Sequence, residues 1–432
     1  MRENNNKGDG CIYHNEIIAG ISLFENQPNA RFYKNIFTHL DTSQIEATKA
    51  KTGRPSEKVA LFRSCIVMKS EKISQITALL DYLRNNLIIA HLCGFDITQP
   101  LPSYWTFRRY IRNIDNNILK LVMKGQILEL VKMKLVDGSF IGLDATPNIA
   151  NTKLNNPKSF IPNKFDKANH PKSDKDCSLG VHTASNQHTD RNYEFYWGYK
   201  NHILIDCITG LPIFEMTTGA STADSTVATD ILKDTNVFFS LNECSFIGDA
   251  GYDIKEIYNT VRNVYHGEAY IPINPRNTND PELLPVGNPI CEAELAMHRD
   301  GKFSSRNRTL QKFCCPFKRS KSCACPIHHV KWNNGKKWRG CTKYITISDD
   351  YRLSIDRKSN DFKSVYKLRT ECERYNSRFK ATGQERLWVR NFNSTQNLNS
   401  FAHIALLAIS IAFRKSNSNI SYRANISLKR RA

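Results

Sequence analysis

Tyr366, Arg369, Glu373 and Lys380 stand 0, 3, 7 and 14 positions along one stretch of helical pattern. At about 100° per residue they share an arc of about 60°. One helix face would then carry a carboxylate framed by an aromatic hydroxyl and two cations, a set suited to gripping a phosphodiester beside a metal-bound carboxylate. Two upstream aspartates, Asp144 in SFIGLD and Asp249 in CSFIGD, each end an apolar run and precede small residues, which predicts both carboxylates at one edge of a sheet. Three converging carboxylates repel one another unless divalent cations lie between them, and Mg²⁺ prefers such hard oxygen ligands. Two ions roughly 3.5–4 Å apart can activate an attacking water or hydroxyl and stabilise a leaving oxygen. Taken singly, an aspartate at a strand end reads as a turn or cap and a helix glutamate as solvated; their joint setting points to chemistry. Glu371 competes with Glu373 but lies about 160° round the helix, away from Arg369 and Lys380.

The elements that must position these groups fall into blocks. Residues 1–135 read mostly as helix, with Pro55 in a first turn and Ser103 capping a helix that bears Arg108, Arg109 and Arg112. From Ser139 short apolar runs take over: a strand ending at Asp144, a lysine-rich loop from Asn151 to about Asp190, and a hairpin in YKNHILIDCITGLPIFEMTT. A helix over Thr222–Asp234, a strand ending at Asp249, a helix over Asp253–Val264 and a strand in AYIPIN follow. This order implies a mixed α/β sheet flanked by helices. Residues 139–274 and 362–415 make that unit, 275–361 interrupt it as a basic, cysteine-rich insertion, and 416–432 form a basic tail. LNSFAHIALLAISIAF is apolar nearly all round and should be buried.

Composition narrows the partners. Lys and Arg number 61 against 41 Asp and Glu, a net charge of +20. Gly301–Ser348 holds twelve bases and no acid, and Arg386–Ala432 eight bases and no acid. Such blocks favour polyanions through phosphate neutralisation and counterion release, against the plainer reading of a basic solvated surface. A polar start and an apolar run, Phe401–Phe413, too short to span a bilayer argue against secretion and membrane insertion. The odd count of 13 scattered cysteines fits reduced thiols in the cytoplasm.

The chain resembles the DDE transposases of bacterial insertion sequences, in the branch with a Tyr-x2-Arg-x3-Glu-x6-Lys signature, which stands here as YKLRTECERYNSRFK. The likeness extends to IGLDATPNIAN, GYKNHILIDCITGLPI, TGASTADSTVATDIL and IGDAGYDIKEIY, covering residues 50–415. It implies a ribonuclease-H-like catalytic fold with an inserted domain, and Asp144, Asp249 and Glu373 binding two Mg²⁺ ions, or Mn²⁺ in their place. It further implies cleavage of double-stranded DNA at terminal inverted repeats, joining of the 3′-hydroxyl end to target DNA, and a homodimer on that DNA. Tyr366, Arg369 and Lys380 would contact the backbone near the scissile phosphate; the competing arrangement is a surface cluster in which Arg369 pairs with Glu373. A nuclease that cuts without joining, and a silent DNA-binding derivative, remain as alternatives.

Within the insertion, Cys314, Cys323, Cys325 and Cys341 raise a structural Zn²⁺, against plain buried thiols, although neither Cys-Cys nor Cys-Ala-Cys has zinc-ribbon spacing. VKWNNGKKWRG reads as a hairpin turning at Asn334-Gly335 with Trp332 and Trp338 on opposite faces. Members of the branch that cut through a hairpin intermediate extrude a base onto an aromatic side chain, a role either tryptophan could fill.

Overall fold

A computed structural model describes residues 27–47, 57–184, 192–274, 283–305, 308–318, 325–328, 340–347 and 350–416. Pro55, Cys323, Trp332, Trp338, the Asn334-Gly335 turn and the basic tail lie outside the described residues.

The N-terminal part is helical: α1 Pro28–His39, α2 Lys58–Ser70, α3 Ile76–Asn85, α4 Leu87–Cys93, α5 Tyr104–Asn113 and α6 Asn116–Lys132. Pro28 opens α1, where its missing N–H costs nothing. Gly94, at φ +106°, closes α4 in a left-handed conformation that side-chain-bearing residues avoid. Asp115 caps α6 by accepting from Asn117 N at 3.0 Å. Ser103 occupies the cap position of α5 but makes no cap bond; its hydroxyl lies 3.2 Å from that of Thr106 instead. From Ala60 to Ser70 nearly every residue of α2 is buried, so this helix is an inner element rather than an amphipathic surface one.

The central sheet is mixed. Strands β1 Phe140–Ile149, β2 Ser178–Ala184, β3 Asn192–Asp206, β4 Leu211–Gly219, β5 Ser245–Ile247 and β6 Glu268–Tyr270 assemble in the order β2-β3-β1-β5-β6, with β4 also on β3. The pairings of β3 with β1, β2 and β4 are antiparallel, while β1–β5 and β5–β6 are parallel. Helix α7 Asp224–Asn236 leads from β4 into β5 and α8 Lys255–Asn259 connects the parallel β5 and β6, α8 running into a π-helical turn at Thr260–Val264 instead of continuing as α-helix. Two expectations are corrected here. The lysine-rich segment contains β2, held through backbone bonds to the first half of β3, and β1 does not end at Asp144 but continues to Ile149 because β3 lies along it throughout.

Residues after β6 form a separate antiparallel sheet of β7 His298–Ser305, β8 Arg308–Cys314 and β9 Thr342–Thr346 over a small core including Ile273, Met297, Phe313 and Ile345. The chain then returns through α9 Asn360–Tyr366 and α10 Thr370–Phe379 to α11 Phe392–Lys415. Among the described residues α11 is the one helix long and apolar enough to cross a membrane, but 89% of its most apolar window is buried inside the protein. It joins the N-terminal helices and the sheet in one core that runs from Tyr33 to Ala412. Its polar residues are paired rather than stranded: Asn397 donates to Ile111 O at 2.8 Å, Ser400 to Glu215 Oε1 at 2.7 Å, and His403 Nε2 meets Asn201 Oδ1 at 2.8 Å. Burial lowers the His403 pKa to about 3, so the ring is neutral in this seam. Lys69 of α2 is likewise fully buried, donating to Gln384 Oε1 at 2.8 Å.

Candidate active site

Strand register sets the first two carboxylates side by side. Gly142 of β1 pairs with Ile247 of the parallel β5, so Asp144 and Asp249 each lie two residues beyond the same rung. Neighbouring strands are about 4.8 Å apart. Asp249 sits just past the end of β5 and accepts Gly251 N at 2.7 Å, capping a short 3₁₀ turn. Asp144 is mid-strand and half-buried; its Oδ1 accepts Ala145 N at 2.9 Å and its Oδ2 accepts Asn376 Nδ2 at 2.9 Å.

The third wall is α10, which lies on β1 because Gly142 leaves room for it. A Cβ at Gly142 would stand 2.5 Å from Cys372 Sγ and 2.7 Å from Cys207 Sγ. With Cys372 over Gly142, Asn376, one turn further, falls over Asp144, and Glu373 is left exposed at the rim. Glu371 turns the other way, buried against Arg374 and beside Gly210.

The stretch that carries Tyr366, Arg369, Glu373 and Lys380 is helical but not one uninterrupted α-helix. A 3₁₀ turn at Lys367–Arg369 separates α9 from α10, and a π turn with Gly383 at φ +88° follows at Lys380–Gln384. Each changes the angle per residue. Lys380, at the C-terminal end of α10, stands 3.7 Å from Glu385. Tyr366, Arg369 and Glu373 stay together: Arg369 Nη1 donates to Glu373 Oε1 at 2.6 Å, the pairing weighed as the competing arrangement.

Electrostatics tie the group together. Burial pushes the Asp144 carboxyl up to about 6; Arg369 opposes that rise and Asp249 adds to it. Burial works against the Arg369 charge, but Asp144, Glu373 and Asp249 outweigh it and hold its pKa up. Burial raises the Tyr366 hydroxyl too; Arg369 lowers it, while Asp249, Glu373 and Asp144 raise it further. Arg369 thus acts as the counter-charge to three acids.

Three neighbours escaped the sequence reading. Asp224, the first residue of α7, accepts Lys200 Nζ at 2.9 Å and lies 3.7 Å from His202 Nδ1. It adds to the field that raises Asp144. Burial drives the His202 pKa down to about 4, so the ring is neutral at physiological pH. Asn376 orients Asp144, and no spacing rule singles out an amide for that task.

In chemistry the donor set fits a hard divalent cation: oxygen ligands, one of them a carboxyl that burial and a second acid hold reluctant to ionise. Among the described residues, no three His, Cys, Asp or Glu side chains stand close enough together to hold an ion, Glu373 being engaged by Arg369. The same holds for the expected zinc ligands. Cys314, Cys325 and Cys341 are buried, and it is Cys315, just past β8, that packs with Cys325 and donates its backbone N–H to Cys341 O at 3.0 Å.

Residues 167–408 match the family model described as a transposase DDE domain, and residues 21–113 one described as a transposase domain (DUF772). No curated protein matches the chain. Among solved structures, the cryo-EM piggyBac transposase synaptic complex with hairpin DNA is 12% identical over 96% of this chain and 78% of its own, at a TM-score of 0.39. The Mos1 transposase paired-end complex with left transposon end is 11% identical over 61% of this chain and 73% of its own, at 0.17.

Proposed function

The chain belongs to the DDE-domain transposase family, and from that premise we propose that it is an insertion-sequence transposase that binds element ends, cuts the DNA phosphodiester and joins the freed 3′-hydroxyl to target DNA. The observation that carries this reading is the register of Asp144 and Asp249 on adjacent parallel strands, with Glu373 on the helix that crosses them. Asp144, Asp249 and Glu373 would hold two Mg²⁺ ions, or Mn²⁺ in their place. Bound there, the ions supply Lewis acidity and a water activated for attack.

The chain's own groups do the rest. Asn376 and Ala145 N fix the two oxygens of Asp144, so that the carboxylate presents a defined edge. Arg369 offsets the charge of the acids, and on DNA binding its guanidinium and the Tyr366 hydroxyl would bind the scissile phosphate oxygens. Release of Glu373 by Arg369 completes the carboxylate set. Lys380 would act further along the backbone, since it faces Glu385. Trp332 and Trp338 are kept as candidates for stacking an extruded base.

For the domains, residues 1–135 would serve as a helical unit for DNA binding or, in the alternative reading, for packing and dimerisation, 139–274 with 362–415 as the ribonuclease-H-like catalytic unit, and 275–361 as the insertion. Residues 416–432 make up the basic C-terminal segment of the sequence. The partners are the element's inverted repeats and target DNA, engaged by a homodimer in the cytoplasm. Replacing Asp249 with Asn should abolish cleavage and spare binding of the ends; cleavage by that variant sinks the proposal. A nuclease without strand transfer would cut the same DNA yet leave the 3′-hydroxyl unjoined, and a silent derivative would only bind.

A further inference from the structure

At the far end of β1 from Asp144 the surface is concave and its charge has one sign. A cleft of about 910 Å³ runs between the loop after β1 and residues 386–390, and it merges with a smaller one against α5 through Asn151, Trp388 and Arg390. No aspartate or glutamate lines either part, whereas Arg108, Lys153, Lys172, Arg386 and Arg390 all do. Each of the five is exposed, and none makes an ion pair among the described residues. Trp388 stands between the two parts with 53% of its surface exposed. Five unpaired cations around a concave wall raise the local potential, and an exposed indole among them offers a flat apolar face. Both terms call for a polyanion with flat rings.

The cleft's position follows from backbone bonds. Ile149 N donates to Glu385 O at 2.8 Å, Leu387 N donates to Ile149 O at 2.9 Å, and Ile149 bridges Arg386. Residues 386–390 are thereby fixed to the end of β1, five residues beyond Asp144. At about 3.3 Å per residue that is about 17 Å. A duplex strand rises about 3.4 Å per nucleotide, so the separation matches about five nucleotides.

Resting on the transposase reading, we propose that this cleft is a second DNA contact, seating backbone phosphates about five nucleotides to one side of the cut, with Trp388 packed on an adjoining sugar or base. It belongs to both the helical unit, through Arg108, and the catalytic unit, through Arg386 and Arg390. DNA held there would set the distance between the bound end and the cleavage point.

The test is binding of a duplex that carries the element end by the full chain across a salt series. Arg386→Gln with Arg390→Gln should flatten the slope of log affinity against log salt by about 2, since each phosphate contact contributes about 0.9. Trp388→Ala should weaken binding about tenfold with the slope unchanged. Neutral methylphosphonates placed four to six nucleotides from the cut should weaken wild type and cost the double variant nothing more. Should the double variant not fold, Lys153→Gln with Lys172→Gln, both in the surface loop, serves the same readout. Unaltered slopes, or methylphosphonate losses that add in full, overturn the cleft. Failure of wild type to bind duplex DNA at all overturns the transposase reading together with it, whereas Asp249→Asn that still cuts overturns that reading while the salt slopes still judge the cleft.

Discussion

Adding one methyl group at Gly142 tests how the site is assembled. The new carbon would stand 2.5 Å from Cys372 Sγ and 2.7 Å from Cys207 Sγ. Ordinary contact begins at about 3.5 Å, so both sulfurs, or the elements that carry them, must retreat by about 1 Å. Overpacking of this kind costs about 1–3 kcal/mol. The retreat also lifts Asn376 off Asp144 and carries Glu373 away from the sheet edge. A 1 Å displacement of reacting groups can lower a rate about 100-fold. Gly142→Ala should therefore show a lower urea midpoint and a cleavage rate reduced far beyond the loss of stability. Paired with Cys372→Ala, which removes the nearer sulfur and leaves that of Cys207, it should recover part of both, giving a coupling energy of about 1 kcal/mol in a double-mutant cycle. The unfolding curves and single-turnover cleavage of a plasmid carrying the ends supply the measurements. An unaltered Gly142→Ala, or a double variant no better than the sum of the singles, would refute the packing of α10 on β1.

The other expectations follow from particular contacts. Glu373→Gln should stop cleavage while leaving the folded state as stable as before, because the side chain is exposed; Glu371→Gln should lower the unfolding midpoint instead, by about 1–3 kcal/mol, because it is buried against Arg374. Asn376→Ala removes a hydrogen bond to a carboxylate and should slow cleavage about tenfold or more with end binding intact, as read by a gel shift beside a cleavage assay. Chelation of divalent ions should stop cleavage and added Mg²⁺ or Mn²⁺ restore it; activity that survives chelation would count against the carboxylate site. Burial lowers the pKa of Lys69 from 10.5 to about 7, so the fold favours its neutral form: the stability from this group is present above pH 10.5 and lost as pH falls through 7. Between pH 9 and pH 6 wild type should accordingly lose about 3 kcal/mol relative to Lys69→Met, measured by denaturant unfolding.

What the sequence allowed, and what it hid, follows from which interactions are local. Alternating apolar runs and small residues marked the strands around Asp144 and Asp249, because both runs are buried on the sheet's two faces. The burial of Phe401–Ala412 was equally plain. The strand β2 was hidden because its stability comes from backbone bonds to β3 rather than from an apolar run of its own. The 3₁₀ and π turns on either side of α10 were hidden because periodicity assumes a constant turn angle, whereas these turns answer to packing against the sheet and to Gly383. Asn376 and Asp224 act on Asp144 across 232 and 80 positions of chain, and pairings at such distances leave no local spacing to read. The Arg369–Glu373 pair, four residues apart, is local and could be named in advance as an alternative.

The position of α11 has a consequence for how the molecule comes into being. Its flanks meet α2, α5 and α6 on one side and the sheet on the other, and Asn35 of α1 reaches Ala412 O at 3.2 Å. A nascent chain therefore presents the apolar faces of its first helices long before their partner leaves the ribosome. The N-terminal helices must wait, uncovered or held by a chaperone, until residue 415 or so has emerged. An early stop or frameshift upstream of α11 would yield a chain that cannot bury its first helices, and such a product would be cleared by proteolysis rather than persist as a competitor for the same DNA.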